Sequence, residues 1–297
     1  MTIRYLSFAF NGCLFNTTYL ERVSEQGIGK AVRSANQVLL KQLKKEGEAF
    51  TKTHVFIGST RLDFHPSHCP AALAISKALG AKPDLFLMED ILKKRQPGES
   101  FHRTIKSLID NTSIPHPADG TAGHSIIPLL FAQLYKAAQD NPDETIVFEV
   151  WTGSREDIDQ IEKVFTDHPN FIPSGIQLRI RLYDGVLYEG KLHDMKIILE
   201  SNNVITALPD YLHLAAIMDT NLERLSLFSE GLADFVQPIS SAIYPEVKTM
   251  ANTTQPDANG GIMVETISSS LFFSNKPSTT PLTADRTGFH YSSGPKQ

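Results

Sequence analysis

Few residues of this chain stand at spacings that do chemistry. His65-Pro66-Ser67-His68-Cys69 bunches three potential zinc ligands, but Pro66 disrupts helical spacing and no fourth ligand is evident, so a surface loop is the expected reading. Neither cysteine, Cys13 or Cys69, has an arginine six positions on, which excludes the phosphate-wrapping loop of a cysteine phosphatase. His124 opens a helix where a cationic group would be useful, yet a lone histidine there reads first as a cap or packing residue. Glu149 faces either the crevice or a partner charge, and the single tryptophan, Trp151, is either a plug at a strand end or a core aromatic. Asp184-Gly185 ends a strand on the side where open α/β sheets bind ligands, though Asp-Gly is also ordinary turn chemistry.

These residues need a frame, and the composition supplies one. A chain of 297 residues with 41% hydrophobic content can bury one large or two smaller cores. A formal charge of -5, with Lys and Arg dispersed, gives no basic field for nucleic acid. No apolar run reaches the roughly 18 to 20 residues that span a bilayer, and Met1-Thr2-Ile3-Arg4 enters a core-type strand without a signal-peptide layout, so a soluble protein is expected. Two cysteines make no disulfide framework and fit a reducing compartment, and a Cys13–Cys69 bond is not expected.

Strand and helix patterns alternate, which predicts a three-layer α/β sandwich with a mainly parallel, Rossmann-like sheet. Strands are expected at 5–8, 54–57, around 85–88, at 145–151 and at 177–183. One long helix is expected over 19–47, stopped by Gly47, with further helices near 69–80, 101–111, 124–140 and 154–167. Residues 114–120 read as a loop, and Pro169 to Pro173 breaks the pattern. Past residue 208 the pattern is helical only, a helical extension over 208–250. From Ala251 the chain is rich in Thr, Ser, Pro, Asn and Gly, which predicts a flexible or docked tail over 251–297.

The first strand, Tyr5-Leu6-Ser7-Phe8, runs into Ala9-Phe10-Asn11-Gly12-Cys13-Leu14-Phe15-Asn16. This segment resembles the opening motif of haloacid dehalogenase-like phosphatases. Two further stretches, Phe86-Leu87-Met88-Glu89-Asp90-Ile91 with Pro97-Gly98-Glu99-Ser100-Phe101, and Leu130-Phe131-Ala132-Gln133-Leu134-Tyr135-Lys136-Ala137-Ala138 with His168-Pro169-Asn170-Phe171-Ile172-Pro173, are similar in order to the phosphatase-like effectors that Legionella and its relatives inject into host cells. The resemblance covers about residues 3–185 and implies a haloacid dehalogenase-like domain over 1–207 with a small insert at about 61–120.

The resemblance places a nucleophilic Asp and a general-acid Asp where this chain has Ala9 and Asn11. A methyl group cannot attack phosphorus and an amide is neutral across the working pH range. Ser59, with Thr60 and Arg61 beside it, fits the phosphate-binding Ser or Thr of the second motif. The third motif's Lys has no counterpart in Gly123-His124-Ser125-Ile126-Ile127, and Thr152-Gly153-Ser154 stands where the acidic pair that holds magnesium is implied. The acids are displaced to Glu156 and Asp157. Two engineered Asp replacements would account for Ala9 and Asn11 but not for the missing Lys and acidic pair, so natural degeneracy is the expectation. Magnesium needs hard carboxylate oxygens, so no cofactor is expected. The resemblance thus implies a pseudophosphatase whose crevice, lined by Asn11, Ser59, Thr60, Arg61 and Ser154, binds a host protein or phosphorylated ligand after type IV secretion into the host cytosol. The alternative is a magnesium-dependent phosphotyrosine phosphatase using Glu156 or Asp157.

Overall fold

Burial on both faces explains why two strands read as near-continuous apolar runs: β1 (Thr2–Phe8) and β4 (Thr145–Thr152) lie side by side at the centre of a six-stranded sheet. The computed structural model describes residues 1–58, 60, 68–110, 124–187, 196–201, 205, 207–220, 222 and 225. The chain divides into two units, Met1–Tyr244 and Pro245–Gln297, and all described residues belong to the first.

Around that centre stand β2 (Lys52–Ile57), β3 (Lys82–Pro83), β5 (Ile176–Leu182) and β6 (Lys196–Glu200), in the order β3-β2-β1-β4-β5-β6. The first five are parallel and β6 runs antiparallel to β5. The chain therefore has the Rossmann-like α/β fold that the alternating pattern predicts. Side chains alternate across the sheet: Ile3, Tyr5, Phe148, Leu178 and Ile180 enter one core, while Leu6, Phe8, Val55, Trp151 and Tyr183 enter the other.

The second core is covered by α1 (Thr17–Gln26), α2 (Ile28–Ala35), α3 (Gln37–Gly47) and α4 (His68–Leu79). The single helix expected over 19–47 is three helices. Gly27 adopts φ 72°, ψ 160°, which breaks the first helix where only glycine sits comfortably. Asn36 breaks the second, its side-chain amide donating to the carbonyls of Val32 at 2.8 Å and Leu14 at 3.0 Å. The expected stop at Gly47 stands as the last residue of α3.

The first core is covered by α5 (Met88–Leu92), α7 (Ile126–Asp140), α8 (Arg155–Asp167) and α9 (Tyr211–Thr220); α6 (Glu99–Ile109) follows α5. The strand expected around 85–88 is not one. Only Lys82 and Pro83 pair with β2, and the apolar run Phe86-Leu87-Met88 is buried as it turns into α5. The buried Asp90 carboxylate organises that turn by accepting from the backbone N–H groups of Leu87, Gly98 and Ser100 at 3.0, 2.9 and 2.8 Å. Tertiary capture by one carboxylate overrides the strand-like composition. β6 falls where no element was expected.

Within the stretch expected as an insert, α4 packs on α2 and α3, and β3 extends the main sheet. Within the expected helical extension, α9 packs on α7 and α5 and adds Tyr211, Leu214, Ala215 and Met218 to the first core. The expected loop at 114–120 and the expected tail at 251–297 lie outside the described residues. Among the described residues no helix is long and apolar enough to cross a membrane.

Candidate functional site

The parallel pairing of β2, β1 and β4 sets Phe8 across from Ile57 and Trp151, so three strand ends are level at their carboxyl side. This is the side on which open α/β sheets bind ligands. The backbone continues the ladder there: Ala9 N–H donates to the Trp151 carbonyl at 2.9 Å and Gly58 N–H to the Phe8 carbonyl at 2.7 Å.

Two glycines let the backbones crowd at this point. A Cβ on Gly58 would lie 2.8 Å from the Phe8 carbonyl carbon. A Cβ on Gly153 would lie 2.1 Å from the Gly12 carbonyl oxygen and 2.5 Å from its carbon. The exit of β4 therefore rests directly against the loop after β1, with no room for a side chain between them.

That loop is held from below by a buried amide network. Asn16 caps α1 by accepting from Tyr19 N–H at 3.1 Å, and its amide donates to the Cys13 carbonyl at 3.1 Å and to Asn36 Oδ1 at 2.9 Å. Asn36 Oδ1 also accepts from the Tyr183 hydroxyl at 3.0 Å. Phe15 N–H donates to the Phe10 carbonyl at 2.7 Å, closing the turn. Burial pushes both the Cys13 thiol and the Tyr183 hydroxyl far above their ordinary values, so both remain protonated. Cys13 and Cys69 are free and buried.

Of the sequence-predicted positions, Ala9 presents a half-buried methyl at the strand end and Asn11 is exposed on the loop. Thr152 is buried; its hydroxyl donates to Asp157 Oδ2 at 2.9 Å and accepts from Ser154 N–H at 3.1 Å. Ser154 is the N-cap of α8, its oxygen accepting from Asp157 N–H at 3.1 Å. Thr60 is half-buried, and Ser59 and Arg61 lie outside the described residues. Ala9, Thr152, Gly153 and Ser154 are thus gathered at one end of the sheet, with Asn11 on the loop above Gly153.

The other candidates resolve into structural roles. Glu149 accepts from buried Arg4 at 2.8 Å and from Arg179 at 3.3 Å, so it faces partner charges rather than the crevice. Trp151 belongs to the second core, stacked on Phe8, with the Arg181 guanidinium 5.2 Å from its ring centre. Asp184 makes turn chemistry, accepting from Val186 N–H at 2.9 Å. His124 Nδ1 lies 2.9 Å from Asp219 Oδ2, joining the start of α7 to α9. His68 stacks on Phe10 with ring centres 4.8 Å apart, while residues 65–67 lie outside the described residues.

The fit of a magnesium ion can be judged from the donor set. Ala9 and Gly153 offer no side-chain oxygen, Thr152 and Ser154 offer neutral hydroxyls already engaged, and the Asp157 carboxylate accepts a hydrogen bond from the Thr152 hydroxyl. Glu156 is exposed on α8. Hard divalent cations need carboxylate oxygens to give up water, so these residues do not fit the ion. Among the described residues no three His, Cys, Asp or Glu side chains converge on a point.

Sequence reasoning missed the residues that hold the site together. Gln133 of α7 accepts from Ser7 Oγ at 2.8 Å and donates to the Ile57 carbonyl at 3.0 Å, fixing β1 and β2 just beneath the crevice. An asparagine directly before a helix was a legible sign for Asn16. Nothing local marked Asn36, Gln133 or Tyr183, whose partners are distant in sequence. Comparison with protein-family models, with curated proteins and with solved structures finds no match for this chain.

Proposed function

We propose that this protein is a haloacid dehalogenase-like pseudophosphatase that acts by binding. The observation that carries the reading is the contact between Gly153 and Gly12, where a Cβ would fall 2.1 Å from the Gly12 oxygen. The resemblance implies a metal-holding carboxylate at that place. Backbone fills it instead, and the resemblance's nucleophile position is the methyl of Ala9. Phosphoryl transfer needs a placed nucleophile and charge neutralisation, and neither is supplied by Ala9, Asn11, Thr152 or Gly153. Around this point the level strand ends, the Ser154 cap and the Asn16–Asn36–Tyr183 network form a hydrogen-bonded rim. On this reading the rim, with Asn11 and Thr60, is a recognition surface for a host protein or phosphorylated ligand, and the protein is a secreted effector working in the host cytosol.

The reading opposes a working phosphotyrosine phosphatase built on Glu156 or Asp157, because the Asp157 carboxylate is engaged by Thr152. The test is hydrolysis of an aryl phosphate and a phosphotyrosine peptide with magnesium, comparing the protein with an Ala9→Asp, Asn11→Asp double variant. Both forms are expected to be silent. Turnover by the unaltered protein overturns the pseudophosphatase reading. Turnover gained by the double variant alone overturns the claim that the Gly12–Gly153 contact closes the metal place.

A further inference from the structure

A groove of about 680 Å³ lies at the opposite, amino end of the sheet from the loop after β1. Its floor follows from strand alternation. On β2, Lys52, His54 and Phe56 share one face and run from water into the core, and the register sets Tyr5 on one side of His54 and Lys82 on the other. The Tyr5 and His54 rings stack with centres 4.6 Å apart. The last turn of α7 forms the wall.

Charge in this groove is unevenly used. Lys136 of α7 binds both acids of the lining, Asp84 at 2.9 Å and Asp140 at 2.5 Å. Burial pulls the Lys136 ammonium down, but the two aspartates outweigh it and hold the group above the ordinary lysine value. With both carboxylates taken, Lys52 and Lys82 form no ion pair or hydrogen bond through their ammonium groups among the described residues. The lining thus carries one positive charge in excess, in a chain whose formal charge is -5.

A buried pair closes the groove beneath the lysines. Tyr5 is 0% exposed, and its oxygen accepts from Asn141 Nδ2 at 2.7 Å. Its own proton has no acceptor among the described residues, and burial raises its pKa far enough that the proton stays. Buried polar groups normally keep at least one partner, which Asn141 supplies to Tyr5, and the Asn141 side chain itself stands half-buried at the groove wall. The ammonium groups of Lys52 and Lys82, without a partner among the described residues, are the donor set for an oxyanion. The volume falls within the roughly 300–1,000 Å³ of small-molecule sites and exceeds what a bare phosphate fills.

We propose that this groove binds a small molecule carrying a phosphate or pyrophosphate group, with the anion on Lys52 and Lys82 and its body along His54 and Asn141. The site is independent of the crevice and of the pseudophosphatase reading.

The experiment is titration calorimetry of the full chain with inorganic pyrophosphate and with glucose 6-phosphate, using glucose as the uncharged control. One-to-one binding of a phosphate-bearing probe, and none of glucose, is expected. Tighter binding of glucose 6-phosphate than of pyrophosphate identifies a phosphate ester as the ligand class; the reverse identifies a free pyrophosphate group. Lys52→Glu with Lys82→Glu changes two exposed side chains, leaves the melting temperature nearly unchanged, and weakens binding by roughly tenfold or more per lost charged contact. No binding of either anion at millimolar concentration overturns the proposal. So does binding that survives the double lysine change, which moves the anion to another surface such as the crevice.

Discussion

Gly153→Ala puts one methyl group where the loop backbone already is. The added carbon would sit 2.1 Å from the Gly12 oxygen, 2.5 Å from the Gly12 carbon and 3.1 Å from Cys13 N. Two non-bonded heavy atoms meet comfortably at about 3.5 Å, so the shortest contact is about 1.4 Å too close. The loop cannot withdraw cheaply, because Cys13 and Leu14 are fully buried and Asn16 and Asn36 hold their carbonyls. The cost belongs to the overpacking range, about 2–3 kcal/mol. For a domain of this size that lowers the melting temperature by about 5–10 °C. Gly12→Ala is the internal control. Gly12 has φ 73° and open space around its added Cβ, so its cost is conformational alone, about 1 kcal/mol. Urea and thermal denaturation of the two variants give the ordering directly. A Gly153→Ala variant as stable as the unaltered protein, or less destabilised than Gly12→Ala, refutes the close approach on which the proposed function rests.

Three further outcomes follow from the buried groups. Glu149→Leu strands the fully buried Arg4 with only Glu46 and the Leu43 carbonyl, at a cost of about 3 kcal/mol in urea denaturation, and adding Arg4→Met restores part of it; a double variant that loses the sum of both single changes argues against the pair. The His54 pKa is lowered from 6.5 by burial, then by Lys82, against the opposing Asp84 and Asp140, so the unfolded chain binds the proton more readily and the neutral ring's stabilisation, full above about pH 6.5, is lost as pH falls through the lowered value. His54→Phe keeps a ring on Tyr5 and flattens the stability profile below pH 6.5; an unchanged slope contradicts the assignment. Cys13 is raised by burial and Cys69 is pushed up to about 12, so neither thiol labels with an alkylating reagent at pH 8 until the protein unfolds, and fast labelling of the native protein would show that one of them is open.

The fold was largely legible because its signals are local. Parallel strands buried on both faces are apolar runs, and β1, β2, β4 and β5 were placed by composition alone. The helices that failed, within 19–47, failed because periodicity continues through Gly27 and Asn36 while the chain turns. The false strand at 85–88 shows the same limit: Phe86, Leu87 and Met88 are buried, as a strand would be, but one carboxylate ten residues from Ser100 decides the path. β6 is a short edge strand, and residues 196–200 alternate exposed and half-buried positions, too weak a signal to stand alone.

What the sequence by itself determined is the chemistry at each position: Ala9 without a nucleophile, Asn11 without a titrating proton, Thr152 and Gly153 without a carboxylate. Those are properties of side chains and need no fold to be true. Only the tertiary structure decided that Gly153 meets Gly12, that Asp157 faces Thr152, that Glu149 faces Arg4, and that Lys136 occupies both aspartates beside Lys52 and Lys82. The physical reason is reach: hydrogen bonds and steric contacts act over about 3–4 Å, and residues 141 or 145 positions apart come within that distance only when the sheet sets their strands side by side.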